Sequence, residues 1–168
     1  MEIKPITNIN PALFSKFDCD IDELNTYLKR FAKKNDKLNI GKTYILLDNT
    51  QALGFYTISM AQIKFKLLPK PSQKNLPKYP IPAARIGRLA IDSNAQGSGL
   101  GELILMDALT RSLRVSEEIA LFAVIVDAKD QRAENFYLKY GFLPLEDQKH
   151  ALFLPMDTID ICKSKAKR

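Results

Sequence analysis

The sequence predicts a mixed α/β fold, and three observations carry that expectation. The chain has 168 residues, 46% of them hydrophobic, which suits one domain with a core of its own. Short runs rich in β-branched and aromatic residues alternate with stretches of helical periodicity, without internal repeats or low-complexity tracts. In mid-chain a strand-like run passes through a glycine-rich turn directly into a helical pattern. The expected architecture is one α/β (α+β) domain over residues 1–168, a mixed central sheet flanked by helices, with a short basic tail at about 160–168.

Asp20 followed by Glu23 forms a capping pattern, after which Ile21, Leu24, Leu28 and Phe31 recur at helical spacing to about Asn35. Residues 43–47 and 52–65 read as an antiparallel hairpin around the turn formers Asp48, Asn49 and Thr50. Five of the nine prolines (Pro69, Pro71, Pro77, Pro80, Pro82) then crowd one segment, which reads as a long functional loop. A short strand at 85–91 follows, then the turn, and a helix beginning at Leu100 with Leu103, Ile104, Met106 and Leu109. The apolar run 120–126 has the length of a buried strand, and 130–140 is helical through Ala133, Phe136, Tyr137 and Tyr140. Gly141 ends that helix, 142–145 starts an extended piece, and 151–155 closes the chain as a last strand.

Composition narrows the function classes. No stretch approaches the roughly 20 apolar residues of a membrane helix, and no secretion signal opens the chain, so a cytoplasmic protein is expected. Cys19 and Cys162 are too few for a disulfide scaffold, and neither has a metal-ligand spacing with His150, the only histidine. Both read as ordinary thiols, His150 reads as a surface residue, and no metal is expected. The net charge of +6 points to a polyanionic partner. From Gln51 to Ile91 there is no acidic residue, while Lys64, Lys66, Lys70, Lys74, Lys78, Arg85 and Arg88 are basic. A second basic group (Lys29, Arg30, Lys33, Lys34, Lys37) follows one helix, and Lys163, Lys165, Lys167 and Arg168 end the chain. One reading is a solvated surface; the other is a phosphate-attracting face for nucleic acid, with Lys29, Arg30, Lys33, Lys34, Lys78 and Arg85 as candidate contacts.

The turn Gln96-Gly97-Ser98-Gly99-Leu100-Gly101 carries the chemistry. A helix N-terminus offers unpaired N–H groups and a partial positive charge, and glycines let an anion approach them closely. A P-loop needs Lys then Ser or Thr after its last glycine, where this chain has Glu102 and Leu103. A dinucleotide fingerprint spaces its glycines G-x-G-x-x-G, where this chain has G-x-G-x-G. A diphosphate remains the best fit, and a plain helix-packing turn is the alternative.

That turn follows Gly87-Arg88-Leu89-Ala90-Ile91-Asp92 and precedes Asn135-Phe136-Tyr137-Leu138-Lys139-Tyr140-Gly141-Phe142, and together these segments resemble the GNAT acetyltransferases over nearly the whole chain. More narrowly, Phe17-Asp18-Cys19 with Leu24-Asn25 and Leu28, Gly54-Phe55-Tyr56-Thr57-Ile58-Ser59, Leu76-Pro77-Lys78-Tyr79-Pro80-Ile81-Pro82-Ala83 and Val126-Asp127-Ala128 are similar to GNAT toxins of bacterial toxin–antitoxin operons. The resemblance implies acetyl-CoA at a splay between two central strands. It implies that the backbone of Leu89, Ala90 and Ile91 pairs with the pantetheine arm and that Gln96, Gly97, Ser98, Gly99, Leu100, Gly101 and Glu102 hold the pyrophosphate. Tyr137 would sit near the sulfur as general acid, although by spacing alone it lies on the apolar face with Ala133 and Phe136. Where many relatives carry Asn seven residues before this tyrosine, this chain has Asp130.

In such chemistry an amine attacks the thioester directly. A lysine is about 0.04% neutral at pH 7 and an α-amino group about 14%, so an α-amine needs less help from a base, and the sequence offers no obvious one. Joined to the resemblance, this implies transfer to the α-amino group of aminoacyl-tRNA, a block to translation, a neutralising antitoxin with a DNA-binding N-terminal region, and a homodimer. The alternatives are a conventional GNAT enzyme acting on a protein or small amine, and a non-catalytic module binding acyl-CoA or RNA.

Overall fold

The computed structural model describes residues 1–159. The basic tail and Cys162 lie outside the described residues. Seven strands run in the order β1-β2-β3-β4-β5-β7-β6: β1 Glu2–Pro5, β2 Lys42–Leu47, β3 Ala52–Ile63, β4 Ile81–Ile91, β5 Ala123–Asp127, β6 Leu143–Pro144 and β7 Ala151–Pro155. The main helices are α1 Asp22–Thr26, α2 Ala32–Lys37, α3 Leu100–Ser116 and α4 Gln131–Lys139. By backbone proximity the chain forms two compact units, 1–59 with 86–108, and 60–85 with 109 onward. Strands β3 and β4 each contribute residues to both.

In the first unit β2 pairs antiparallel with β1 (Ile3 opposite Leu46) and with β3 (Thr43 opposite Thr57). Asp48 closes the hairpin: its Oδ1 accepts from the backbone N–H groups of Thr50 (2.6 Å) and Gln51 (2.8 Å). Phe17, Tyr27, Leu28, Ala32, Ile45, Leu47, Phe55 and Ala90 form its core. The helix expected from 20 onward is present but begins at Asp22, with Ile21 at the N-cap and no side-chain cap. Asp20 is not the cap, because its left-handed backbone (φ 62°) places it in the turn before the helix. Between α1 and α2, Tyr27–Phe31 is a π-helical turn.

In the second unit β7 pairs antiparallel with β5 (Ile125 opposite Phe153) and with β6. Ile63, Leu68, Ile81, Ala83, Ala123, Ile125, Ala151 and Phe153 pack as its core. The proline-rich segment is more ordered than its composition suggests. Phe65–Leu67 and Lys70–Gln73 are 3-10 turns, and β4 starts at Ile81 rather than 85. Pro82 lies within β4 without cost to pairing at its carbonyl, which accepts from the Phe122 N–H at 2.9 Å. No helix among the described residues is long and apolar enough to cross a membrane.

Candidate active site

The glycine turn lies in the first unit, between the end of β4 and α3. Asp92 anchors its entry. Its Oδ2 accepts from the Asp18 N–H (3.1 Å), its Oδ1 from the Asn94 N–H (3.1 Å), and its own N–H donates to the Leu53 carbonyl (2.9 Å). The Ser93 N–H donates to the Asp18 carbonyl at 2.8 Å. Asp18 is in turn held by the Asp20 N–H (2.9 Å) and the Asn25 side-chain amide (2.7 Å), while Asn25 Oδ1 accepts from the Cys19 N–H (3.0 Å). These bonds, the Asp20 amide first, hold the Asp18 carboxyl below its ordinary range. The Phe17-Asp18-Cys19 and Asn25 motif is therefore a brace for the glycine turn. Cys19 is buried beside Asn25, and burial pushes its thiol up, as suits a structural cysteine.

Gly97 (φ 76°) and Gly99 (φ 81°) both take the left-handed region, where a side chain costs roughly 1–2 kcal/mol. A Cβ at either would meet nothing within 4 Å, so no protein neighbour demands glycine there. What glycine provides is φ and an open approach to the turn. Helical bonding resumes with the Leu103 N–H donating to the Gly99 carbonyl (3.2 Å), and α3 then runs for 17 residues. Open glycines ahead of a long helix fit a diphosphate. The side chains contribute differently. The Ser98 hydroxyl donates to the Ala95 carbonyl at 2.5 Å, and Gln96 Nε2 donates to the Ile91 carbonyl at 3.2 Å. Both shape the turn, leaving anion contact mainly to the backbone.

Next to the turn, β3 and β4 come close at Gly54. A Cβ there would lie 2.6 Å from Ile91 Cδ1 and 3.0 Å from the Ala90 carbonyl oxygen. Since the Asp92 N–H faces β3, strand alternation turns the polar groups of Ala90 toward β3 and those of Leu89 and Ile91 away from it. Leu89 and Ile91, two of the three expected arm-pairing residues, thus turn their polar groups to the side away from β3, where the Ile91 carbonyl accepts from Gln96. Helix α3 is tied to β3 by the Tyr56 hydroxyl, which donates to Asp107 Oδ2 at 2.5 Å.

Tyr137 lies in the second unit, on α4. Asp130, in doubt as a cofactor contact, is the N-cap of that helix: its Oδ1 accepts from the Ala133 N–H at 2.9 Å. Tyr137 is 7% exposed, with ring centroids 5.2 Å from Phe136 and 5.3 Å from Phe142. Burial pushes its phenol well above the ordinary value, and the Asp127 carboxylate pushes it the same way. Asp127 itself pairs with Arg85 at 3.3 Å. The sequence names Asp127 only within the Val126-Asp127-Ala128 resemblance and gives it no role, because a single acidic residue at the end of an apolar run carries no periodic signal. It also placed His150 on the surface. The imidazole is instead half-buried and paired with the Glu134 carboxylate, and the His150 carbonyl accepts from the Ala128 N–H at 2.8 Å. His150 also has a left-handed backbone (φ 61°), which no local sequence pattern announces.

The expected tRNA contacts divide between the units. Lys29, Arg30 and Lys34 are exposed on the helical segment of the first, where Lys33 is half-buried with Nζ 3.5 Å from the Ile9 carbonyl. Lys78 and Arg85 are exposed in the second, Arg85 engaged by Asp127.

The architecture has known counterparts. A family model described as acetyltransferase (GNAT) domain matches residues 77–158. A probable toxin TacT of Sinorhizobium fredii is 31% identical over 153 residues, spanning 85% of this chain and 84% of that protein. The chain belongs to the GNAT acetyltransferase toxins. Among solved structures, AtaT complexed with acetyl-methionyl-tRNAfMet superposes on this GNAT chain with a TM-score of 0.90 at 30% identity, covering 96% of this chain and 98% of that one. An AtaT mutant toxin bound to the C-terminus of the antitoxin AtaR and acetyl-CoA gives 0.83 at 27% identity, covering 97% and 98%.

Proposed function

We propose that this protein transfers acetyl from acetyl-CoA to the α-amino group of aminoacyl-tRNA, and thereby stops translation as a toxin. The observation that carries the reading is the pair of left-handed, unobstructed glycines at the head of α3, a backbone cradle for a pyrophosphate. The likeness to AtaT, which has been captured with acetyl-methionyl-tRNAfMet, supports the acceptor. Acetyl-CoA supplies the acetyl group as an activated thioester. The N–H groups of residues 96–102 hold its pyrophosphate, and the edge of Leu89 and Ile91, with Ala90 closing the strand against β3, orients the pantetheine arm.

Tyr137 Oη keeps its proton because burial disfavours the phenolate. It donates that proton to the sulfur as negative charge builds there. Low-dielectric surroundings disfavour both anions alike, so the raised phenol still serves a departing thiolate. The α-amine loses its own proton with little assistance, being far closer to neutrality at pH 7 than a lysine. Lys29, Arg30, Lys33, Lys34, Lys78 and Arg85 attract the tRNA backbone. The whole chain acts as one cytoplasmic acetyltransferase domain with a basic tail. It forms a homodimer and is neutralised by an antitoxin with a DNA-binding N-terminal region, in line with the AtaR complex of the relative.

Purified protein incubated with labelled acetyl-CoA and charged tRNA tests this. Label in acid-precipitable RNA that requires charging and falls sharply in Tyr137→Phe is expected. Turnover with no label on RNA moves the acceptor to a protein or small amine, and no turnover leaves a binding module.

A further inference from the structure

A groove of about 390 Å³ in the first unit is unused by the reading above. It is open to solvent and lined by Asp22, Glu23, Thr26, Tyr27, Phe31 and Arg88. We propose that it takes the adenine ring of the acceptor tRNA's 3′-terminal nucleotide; the proposal rests on the aminoacyl-tRNA reading.

Four observations point to a base. Phe31 is a large apolar ring left 49% exposed on a π-helical turn, an element that recurs at functional sites. Lys29, Arg30, Lys33 and Lys34 flank it in sequence, and an aromatic interleaved with cations is the pattern that binds single-stranded nucleic acid by stacking and phosphate attraction. On the same lining, the Arg88 guanidinium lies over the Tyr27 ring, 3.6 Å from its centroid, a cation–π pair. The two carboxylates of Asp22 and Glu23 repel phosphate, so the groove suits the neutral part of a nucleotide. A carboxylate also accepts from the N6 amino group of adenine.

Position in the chain adds a further argument. Arg88 gives its side chain to the groove, and the residues next to it, Leu89 to Ile91, form the edge assigned to the pantetheine arm. An arm anchored at the glycine turn after β4 and laid back along that edge brings its thioester end toward Arg88. In aminoacyl-tRNA only a ribose and one ester separate the α-amine from the terminal adenine. Holding the adenine beside Arg88 therefore brings the amine to the thioester end. Because every tRNA ends in the same adenosine, this contact supplies affinity common to all acceptors and leaves amino-acid choice to other groups.

The test uses full-length protein and uncharged tRNA whose 3′-terminal base is 8-vinyladenine, a fluorophore that keeps the N6 amino group and is quenched by stacking. Wild type is expected to quench it on binding, and Phe31→Ala to lose the quench and weaken tRNA binding about tenfold. Phe31 is exposed, and an unchanged melting temperature of Phe31→Ala checks its fold. In the acetylation assay, aminoacyl-tRNA ending in inosine, which lacks the N6 amino group, should show a KM raised about tenfold. Glu23→Gln with Asp22→Asn should abolish that discrimination. If aminoacyl-tRNA is acetylated but the quench is absent, or survives in Phe31→Ala, the adenine assignment is overturned while the acetyltransferase reading stands. The same holds if Phe31→Ala changes only the ranking among aminoacyl-tRNAs, which would give the groove to the amino-acid side chain. If no aminoacyl-tRNA is acetylated, the acceptor reading falls, and the quench still reports whether adenosine binds the groove.

Discussion

The glycine turn at 96–101 and the aromatic cluster around Tyr137 solve opposite problems. The turn works by leaving side chains out: Gly97 and Gly99 face open space, Ser98 and Gln96 bond back to the protein, and the backbone is what an anion can reach. The Tyr137 region works by crowding them in, with Phe136 and Phe142 against the ring and burial governing the phenol. A site made of backbone should resist deletion of side-chain atoms and fail when atoms are added. A site made of one buried hydroxyl should fail when a single oxygen is removed.

The largest effect should come from Tyr137→Phe, which removes that oxygen and leaves the packing. The acetylation rate is expected to fall by about 10²-fold or more, with acetyl-CoA affinity unchanged by calorimetry. The raised phenol also fixes a pH dependence. A folded value above the unfolded one, about 10, favours the neutral form in the native state. That contribution to stability is complete below about pH 10 and is lost as pH rises through the folded value, so alkaline melting curves should converge for wild type and Tyr137→Phe. A phenol titrating near 10 in the folded protein would contradict the buried-acid description.

Adding atoms to the turn should come next. Gly99→Val places a β-branched side chain at φ 81° and into the open approach, so acetyl-CoA affinity should drop at least tenfold while the melting temperature moves by only a few degrees. Gly54→Ala should show the reverse balance. Its Cβ would press on Ile91 Cδ1 and the Ala90 carbonyl, costing roughly 1–3 kcal/mol of stability, with a smaller loss of acetyl-CoA affinity through the displaced strand edge. Ile91→Val, by removing the Cδ1 that a Cβ at residue 54 would touch, should restore part of that stability in the double variant.

These contrasts also explain what was legible in the sequence. The glycine turn could be read because φ and close approach leave a compositional mark, and the hairpin, α3, α4 and β7 could be read from periodicity. The Asp18–Asp92 brace escaped because its partners are 74 residues apart, and no local pattern in either segment points to the other. Gly54 was visible only as part of a resemblance, since the clash that requires glycine comes from β4. The prolines suggested a loop because they rarely enter strands, yet Pro82 sits in β4 where its carbonyl alone is needed.

The brace offers a smaller effect of its own. Asp18 is held below the ordinary carboxyl value of 3.8, so its contribution to stability is present above that value and is lost as pH falls through the folded one. Asp18→Asn should flatten the acid side of the stability profile and loosen acetyl-CoA binding even at neutral pH, because the Asp20 and Asn25 amides lose their charged acceptor. An unchanged acid limb would remove Asp18 from the support of the turn.

The smallest effect should be the most discriminating. Ser98→Ala deletes a hydroxyl that stands in the middle of the proposed pyrophosphate site, where a side-chain-based site would lose about tenfold or more in affinity. Here the hydroxyl donates to the Ala95 carbonyl, so its removal should cost the turn about 1 kcal/mol at most and change the acetyl-CoA dissociation constant by less than about fivefold. Calorimetric titration of Ser98→Ala beside Gly99→Val separates the two accounts. If the alanine variant loses as much affinity as the valine variant, the cradle depends on side chains after all, and the contrast with Tyr137 disappears.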